Sequence, residues 1–147
     1  MDNYVVYHLH SDLSNGVTNI DSVTKFGEYI NRAVECGMKA LAFSEHGSVF
    51  EWYHKKSAIE AAGLKYIHAV EAYLTSDLSE KIRDNYHCVL LAKNYDGFLE
   101  LNQLLSDSFN RKDNHFYYVP RISFDELFQT SDNILITTAC IGGVLAK

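Results

Sequence analysis

The sequence predicts an α/β fold in which strands and helices alternate, arranged as a parallel sheet or an α/β barrel. Three observations carry that expectation. Runs rich in β-forming residues recur along the chain, at residues 4–10, 40–44, 65–74, 87–92 and 134–138. Between them lie segments whose apolar residues repeat at helical spacing. Polar residues of the metal-binding type sit at the ends of several of these runs, where α/β folds gather their chemistry.

The elements follow in order. Residues 4–10 alternate in hydropathy and read as the first strand, and Asn15-Gly16 marks a turn. Phe26, Tyr29, Ile30, Ala33 and Val34 recur at helical spacing and stop at Gly37, which suits a helix C-terminus. Residues 40–44 form a short apolar run, as expected of a buried strand. A second helix covers residues 49–62, with Gly63 as its stop. Residues 65–74 and 87–92 read as the third and fourth strands. Leu101, Leu104, Leu105 and Phe109 then give a third helix its apolar stripe. Ser123-Phe124-Asp125-Glu126 has the form of a capping box opening a short helix, and residues 134–138 are the fifth strand.

Composition narrows the function classes. One domain fits 147 residues, and 47% apolar with 22% charged residues excludes disorder as the default. The formal charge is −6 and the basic residues are scattered; Lys55-Lys56, Lys81-Ile82-Arg83 and Arg111-Lys112 come nearest to clusters. A protein that grips a nucleic-acid backbone unaided shows a basic stripe, so DNA contact by this segment alone is expected to be weak. For the same reason Phe116-Tyr117-Tyr118 reads as packing and not as a base-stacking platform. Cys36, Cys88 and Cys140 form no CxxC pair and no even framework. With no secretory leader after Met1-Asp2-Asn3, reduced thiols in a cytoplasm are the simplest expectation. The longest aliphatic runs are far too short to cross a membrane.

The chemistry starts at His8-Leu9-His10. Residues two apart on a strand face the same side, roughly 6.5–7 Å apart. Two imidazoles there can hold one metal or reach two, and two-metal sites need ions about 3.5–4 Å apart. The pair alone fits a metal site and two half-buried histidines equally. Ser44-Glu45-His46-Gly47 places an imidazole at a strand end, with a glycine that permits a tight exit. Taken alone, His46 reads more readily as a satisfied rim histidine than as a ligand. Glu71 is a carboxylate inside an apolar strand, so it must be ion-paired or metal-bound. Cys140 follows the fifth strand. His87 is the exception, because it opens its strand instead of closing it.

Taken in order, His8-Leu9-His10-Ser11, Ser44-Glu45-His46-Gly47, Val70-Glu71-Ala72-Tyr73-Leu74, residues 87–94 and Thr137-Thr138-Ala139-Cys140 resemble the metal motifs of the PHP (polymerase and histidinol phosphatase) domain. The resemblance is to the variant that opens the alpha subunit of bacterial-type DNA polymerase III. It implies a distorted (β/α)7 barrel, of which residues 1–147 are expected to be only the N-terminal part. It implies up to three divalent transition metals, zinc, manganese or iron, held here by His8, His10, His46, Glu71, His87 and Cys140. The family also has an Asp soon after the His pair, and Asp21 is the candidate, with a helix N-cap as its competing reading. Glu45 stands where the family usually has Asp, in a position supporting the ligands. The family's final Asp-x-His does not occur between Cys140 and Lys147.

That resemblance implies a metal-dependent phosphoesterase, a 3′–5′ exonuclease serving proofreading, within a DNA-directed DNA polymerase. DNA is then the partner through the full-length polymerase, with other replisome subunits as further partners and no membrane. The alternatives are a catalytically inactive scaffold of the polymerase, or a stand-alone phosphatase of the histidinol-phosphatase type. His54, His68 and His115 are expected to be structural, and Cys36 and Cys88 to pack on apolar faces.

Overall fold

The structure, a computed structural model, describes residues 4–16 and 20–146. A short 3-10 turn (Asp12–Gly16) precedes α1 (Phe26–Glu35), β1 (Ala40–Phe43) and α2 (Trp52–Ala61). Then come β2 (Lys65–Thr75), β3 (Tyr86–Ala92) and α3 (Tyr95–Ser108). The described chain closes with β4 (Phe116–Tyr117), β5 (Val119–Ser123), α4 (Phe124–Phe128) and β6 (Ile134–Thr138).

The order of strands is β4-β5-β2-β3-β6, with β1 also pairing β2. The sheet is mixed, which corrects the parallel sheet that the sequence offered beside an α/β barrel. β2 runs parallel to β1 and β5, but β3 is antiparallel to β2 and β6 is antiparallel to β3. The link from Thr75 to Tyr86 carries no helix, and without a crossover helix the chain returns antiparallel. β4 and β5 had no separate signal in the sequence. β5 contains Pro120, which is permitted because the strand is short and pairs with β2 only at residues 121–123.

The predicted first strand does not form a ladder. Residues 4–10 run alongside β1 with one bridge, Val6 to Leu41. The Ala42 amide donates to Val6 O at 3.1 Å and the Ser44 amide to Leu9 O at 2.9 Å. The second helix starts at Trp52, three residues later than predicted. Both glycine stops hold, with Gly37 and Gly63 at positive φ just after their helices. The capping box at Ser123 forms in full: Ser123 Oγ accepts from the Glu126 amide, and the Glu126 carboxylate accepts from the Ser123 amide.

β2 organises the core because both of its faces are buried. Val70, Ala72 and Leu74 pack outward with Cys88 and Leu90 against Leu101 and Leu105 of α3 and Leu127 of α4. Each such fully buried leucine contributes about 1.5–3 kcal/mol of transfer free energy. A second cluster joins Ile30 and Ala33 of α1 to Leu41, Phe43 and Ile59. The opposite face of β2 carries Ala69, Glu71 and Tyr73 by the alternation of a strand. There Ala42, Ala69, Val89 and Leu91 form a small apolar floor, with the polar site above it. Cys88 is buried as expected, and burial pushes its thiol pKa up to about 12. Cys36 is exposed, because the residue that caps α1 leaves the apolar stripe. Among the described residues, no helix is long and apolar enough to cross a membrane.

Candidate metal centre

The mixed sheet explains the one exception in the sequence pattern. Because β3 is antiparallel to β2, the start of β3 lies beside the end of β2, and His87 pairs with Tyr73 in register. β6 reverses again, so Cys140, two residues past its end, returns to the same rim. His46 reaches that rim through a bridge to Glu71 as the chain leaves β1. His8, His10, Asp21, His46, Glu71, His87 and Cys140 all line one cavity of about 590 Å³.

Glu71 is its centre. The buried carboxylate meets three imidazoles: Oε2 lies 3.0 Å from His8 Nε2 and 2.7 Å from His10 Nε2, and Oε1 lies 2.9 Å from His87 Nδ1. The sequence left open whether Glu71 pairs with Lys or Arg; the groups that meet its carboxylate are His8, His10, His46 and His87. Burial pushes the Glu71 pKa up, but the hydrogen bonds from His10, His8 and His87 outweigh it and hold the carboxyl well below the usual range. His46 moves the other way: burial lowers its pKa, and Glu71 only partly offsets this. Among the described residues two compact groups emerge, His8-His10-Glu71 and His46-Glu71-His87, and they share the one carboxylate. Asp21 and Cys140 stand at the edge. Asp21 Oδ2 is 2.9 Å from His46 Nε2, and Cys140 Sγ is 3.4 Å from His87 Nδ1. Asp21 is not a helix cap, since α1 is preceded by Lys25.

The donors fit a divalent transition metal. Among the described residues, His46 Nδ1 is buried without a hydrogen-bond partner, 3.4 Å from Glu71 Oε2. The Nε2 atoms of His8 and His10 stand 3.2 Å apart and both face that same oxygen. Imidazole nitrogens crowded around one carboxylate match nitrogen- and carboxylate-preferring ions such as zinc, manganese and iron.

Similarity to known proteins points the same way. The sequence profile of the PHP domain matches residues 7–147. The chain belongs to the PHP domain family. It is 35% identical over 150 residues to DNA polymerase III subunit alpha of Borreliella burgdorferi, and 32% identical over 152 residues to that of Aquifex aeolicus. These alignments cover 98% and 96% of the chain, which spans about 12% of the length of each relative. The fold resembles an amidohydrolase from Chromobacterium violaceum (TM-score 0.50, 21% identity, 70% of this chain and 32% of that one). It also resembles a Bifidobacterium adolescentis protein assigned as a metal-dependent phosphoesterase (TM-score 0.50, 15% identity, 73% and 33%). The likeness to both is one of fold.

Beneath the ligands this PHP domain has a layer that sequence reasoning saw only in part. Glu45 is buried and points away from the cavity, where it accepts from Lys55 Nζ at 2.6 Å, the Ser11 amide at 3.0 Å and the hydroxyls of Ser11 and Ser14. Ser14 Oγ in turn lies 3.0 Å from His10 Nδ1 and accepts from the His46 amide at 3.3 Å. The sequence assigned no role to Ser11 or Ser14 and marked Lys55 only with Lys56, as one of the nearest approaches to a basic cluster. Lys55 is buried, and burial lowers its pKa against the pull of Glu45.

Gly47 fixes the exit from the site. Its φ is +60°, and a Cβ there would lie 2.7 Å from Pro120 Cγ and 3.0 Å from the Tyr73 ring. Its amide donates to Glu71 O at 2.8 Å. Gly47→Ala is therefore expected to cost about 2–4 kcal/mol, from left-handed strain plus overpacking. Urea denaturation measures it; a midpoint within error of wild type would show that the β5 edge yields freely.

The remaining histidines are structural in this PHP domain. His54 is exposed beside Glu51. His68 faces away from the cavity, as its strand parity requires, and its ring nitrogens meet Tyr66 OH at 2.7 Å and Asn102 Oδ1 at 3.0 Å. It borders a second cavity, about 680 Å³, walled by Trp52, Tyr95, Phe98 and Leu135. His115 bridges Asp113 and Glu126, and Arg111 and Arg83 lie over the Phe116 and Tyr118 rings, so that aromatic run is engaged in packing.

Proposed function

We propose that this chain is the N-terminal portion of the PHP domain of a DNA polymerase III alpha subunit, and that its cavity is a metal-dependent phosphoesterase centre acting as a 3′–5′ exonuclease. The observation that carries this reading is the convergence of His8, His10, His46 and His87 on the single carboxylate of Glu71. His8, His10 and Glu71 would hold one divalent ion, and His46, Glu71 and His87 a second, with Asp21 and Cys140 as outer donors. Bound metals would supply Lewis-acid stabilisation of charge on a phosphoryl group and a nucleophile at neutral pH. Six of the mapped positions, His8, His10, His46, Glu71, His87 and Cys140, keep their ligand chemistry, which favours an active parent protein over an inert scaffold. The sheet supports a longer parent: β6 pairs only with β3 among the described residues, and its Leu135 and Ile136 are exposed. In this reading the last barrel strands, the Asp-x-His, the polymerase active site and the contacts with DNA and replisome subunits belong to that cytoplasmic parent.

The test is the double variant His10→Ala/Glu71→Ala in the full-length polymerase. It is expected to lose metal-dependent 3′–5′ exonuclease activity while keeping part of its polymerase activity. Unchanged exonuclease activity would sink the enzymatic reading. A joint loss of polymerase activity and melting temperature, with no nuclease in the wild type, would instead support the scaffold.

A further inference from the structure

The layer under the cavity has a direction. Lys55 can only donate, and its Nζ lies 2.6 Å from Glu45 Oε1. Glu45 as a carboxylate can only accept, so the Ser14 hydroxyl spends its one proton on Glu45 Oε2. The Ser14 oxygen is then left with lone pairs alone, facing the His46 amide and His10 Nδ1 at 3.0 Å. His10 Nδ1 must therefore carry a proton, and Nε2 points at the Glu71 carboxylate in the centre of the cluster. The components are shielded from water: Lys55 is 2% exposed, Glu45 1% and Ser14 2%. No water therefore competes to reverse the polarity.

We propose that Lys55 is a positioning residue for the metal centre: through Glu45 and Ser14 it fixes the proton of His10 on Nδ1 and presents Nε2 to the metal. Outer partners of metal-bound histidines act in this way, setting tautomer and ring orientation, and their loss costs about 10–100-fold in metal affinity. The effect on affinity rests on the metal-centre reading above, whereas the protonation of Nδ1 does not.

The chain of donors makes an unusual pair of variants informative. In Glu45→Gln, the buried Lys55 ammonium and the Ser11 amide compete for the one remaining oxygen; leaving the charge unpaired costs more than leaving the neutral amide so, and the amide oxygen turns to Lys55 while the NH2 group faces Ser14. The Ser14 hydroxyl then accepts from the amide and donates to His10 Nδ1, so the ring proton sits on Nε2, facing Glu71 Oε2. In Lys55→Met/Glu45→Gln that demand is gone, the amide oxygen turns back to Ser14, and the original polarity returns. Nitrogen-15 NMR of the 147-residue chain reads the Nδ1 protonation of His10, and a competition titration reads zinc Kd. The expected results are Nδ1 protonated in wild type, Nδ1 unprotonated in metal-free Glu45→Gln with zinc Kd raised about 10–100-fold, and recovery of both in the double variant. A merely structural role predicts no recovery from a second core substitution. If Glu45→Gln fails to fold, Ser14→Ala removes the acceptor directly and is expected to show the same loss. Wild-type His10 unprotonated at Nδ1, or a double variant as impaired as the single one, would overturn the proposal. Wild type that binds no zinc but carries the Nδ1 proton would refute the metal reading and leave the relay standing.

Discussion

Glu71→Ala is expected to weaken zinc or manganese binding by the chain by more than about 100-fold, because loss of even an outer-shell partner costs 10–100-fold and Glu71 belongs to both candidate metal groups. Its two oxygens serve His8 and His10 on one side and His87 on the other. Removing the carboxylate takes away the one negative charge at the centre of four imidazoles. Divalent cations there would then meet the imidazoles, with Asp21 the remaining carboxylate at the edge of the cavity. Glu71→Gln separates charge from packing, since it keeps volume and a hydrogen-bonding oxygen. It is expected to resemble Glu71→Ala in metal affinity while losing less thermal stability without metal. Isothermal titration after chelator treatment decides the matter. Wild-type affinity in Glu71→Gln would mean that the histidines alone define the site.

Acidification is expected to destabilise the fold through a residue outside the cavity. Burial lowers the His68 pKa from 6.5 to about 4, with the Asn102 hydrogen bond opposing it only in part. A group with a depressed folded-state pKa stabilises the native state above its unfolded value, and that stability is lost as the pH falls. Between pH 6.5 and 4 the unfolded chain takes up a proton that the folded chain refuses. The loss amounts to about 3 kcal/mol by pH 4, at 1.36 kcal/mol per unit. His115 acts in the opposite sense. Burial lowers its pKa, but hydrogen bonds from its ring to Glu126 and Asp113 outweigh this and raise it, so its contribution is complete below pH 6.5 and fades at higher pH. Urea unfolding of wild type and His68→Gln across pH 7 to 4.5 isolates the first effect. The variant should show a slope shallower by about one proton; parallel curves would place the acid sensitivity elsewhere.

Much of the site was legible in the sequence because metal ligands are rare residue types in otherwise apolar runs. A carboxylate such as Glu71 in the middle of Ala69-Val70-Glu71-Ala72-Tyr73 announces itself through its desolvation cost. Strand parity correctly separated Glu71 from His68. His87 was less legible, since the reason it belongs at the rim is the direction of β3, and that depends on a return without a crossover helix. Lys55, Ser11 and Ser14 were illegible, because serine and lysine are common surface residues and their burial is decided by what packs over them.

The sequence by itself determined the element boundaries in most of the chain, the helix stops at Gly37 and Gly63 and the capping box at Ser123, whereas the set of seven candidate ligands came from the resemblance to the PHP domain. The boundaries, stops and cap depend on local effects: backbone conformations that glycine permits, hydrogen bonds within four residues, and the transfer cost of a polar side chain. Only the tertiary structure decided that the sheet is mixed, that residues 4–10 lie beside β1 without a ladder, and that Lys55 turns inward to Glu45. Those outcomes depend on partners far along the chain: Cys88 opposite Thr138, Ser11 against Glu45, and Leu101 under Val70. Their energies arise only when distant segments exclude water from one another, and no local window of sequence contains both sides of the contact.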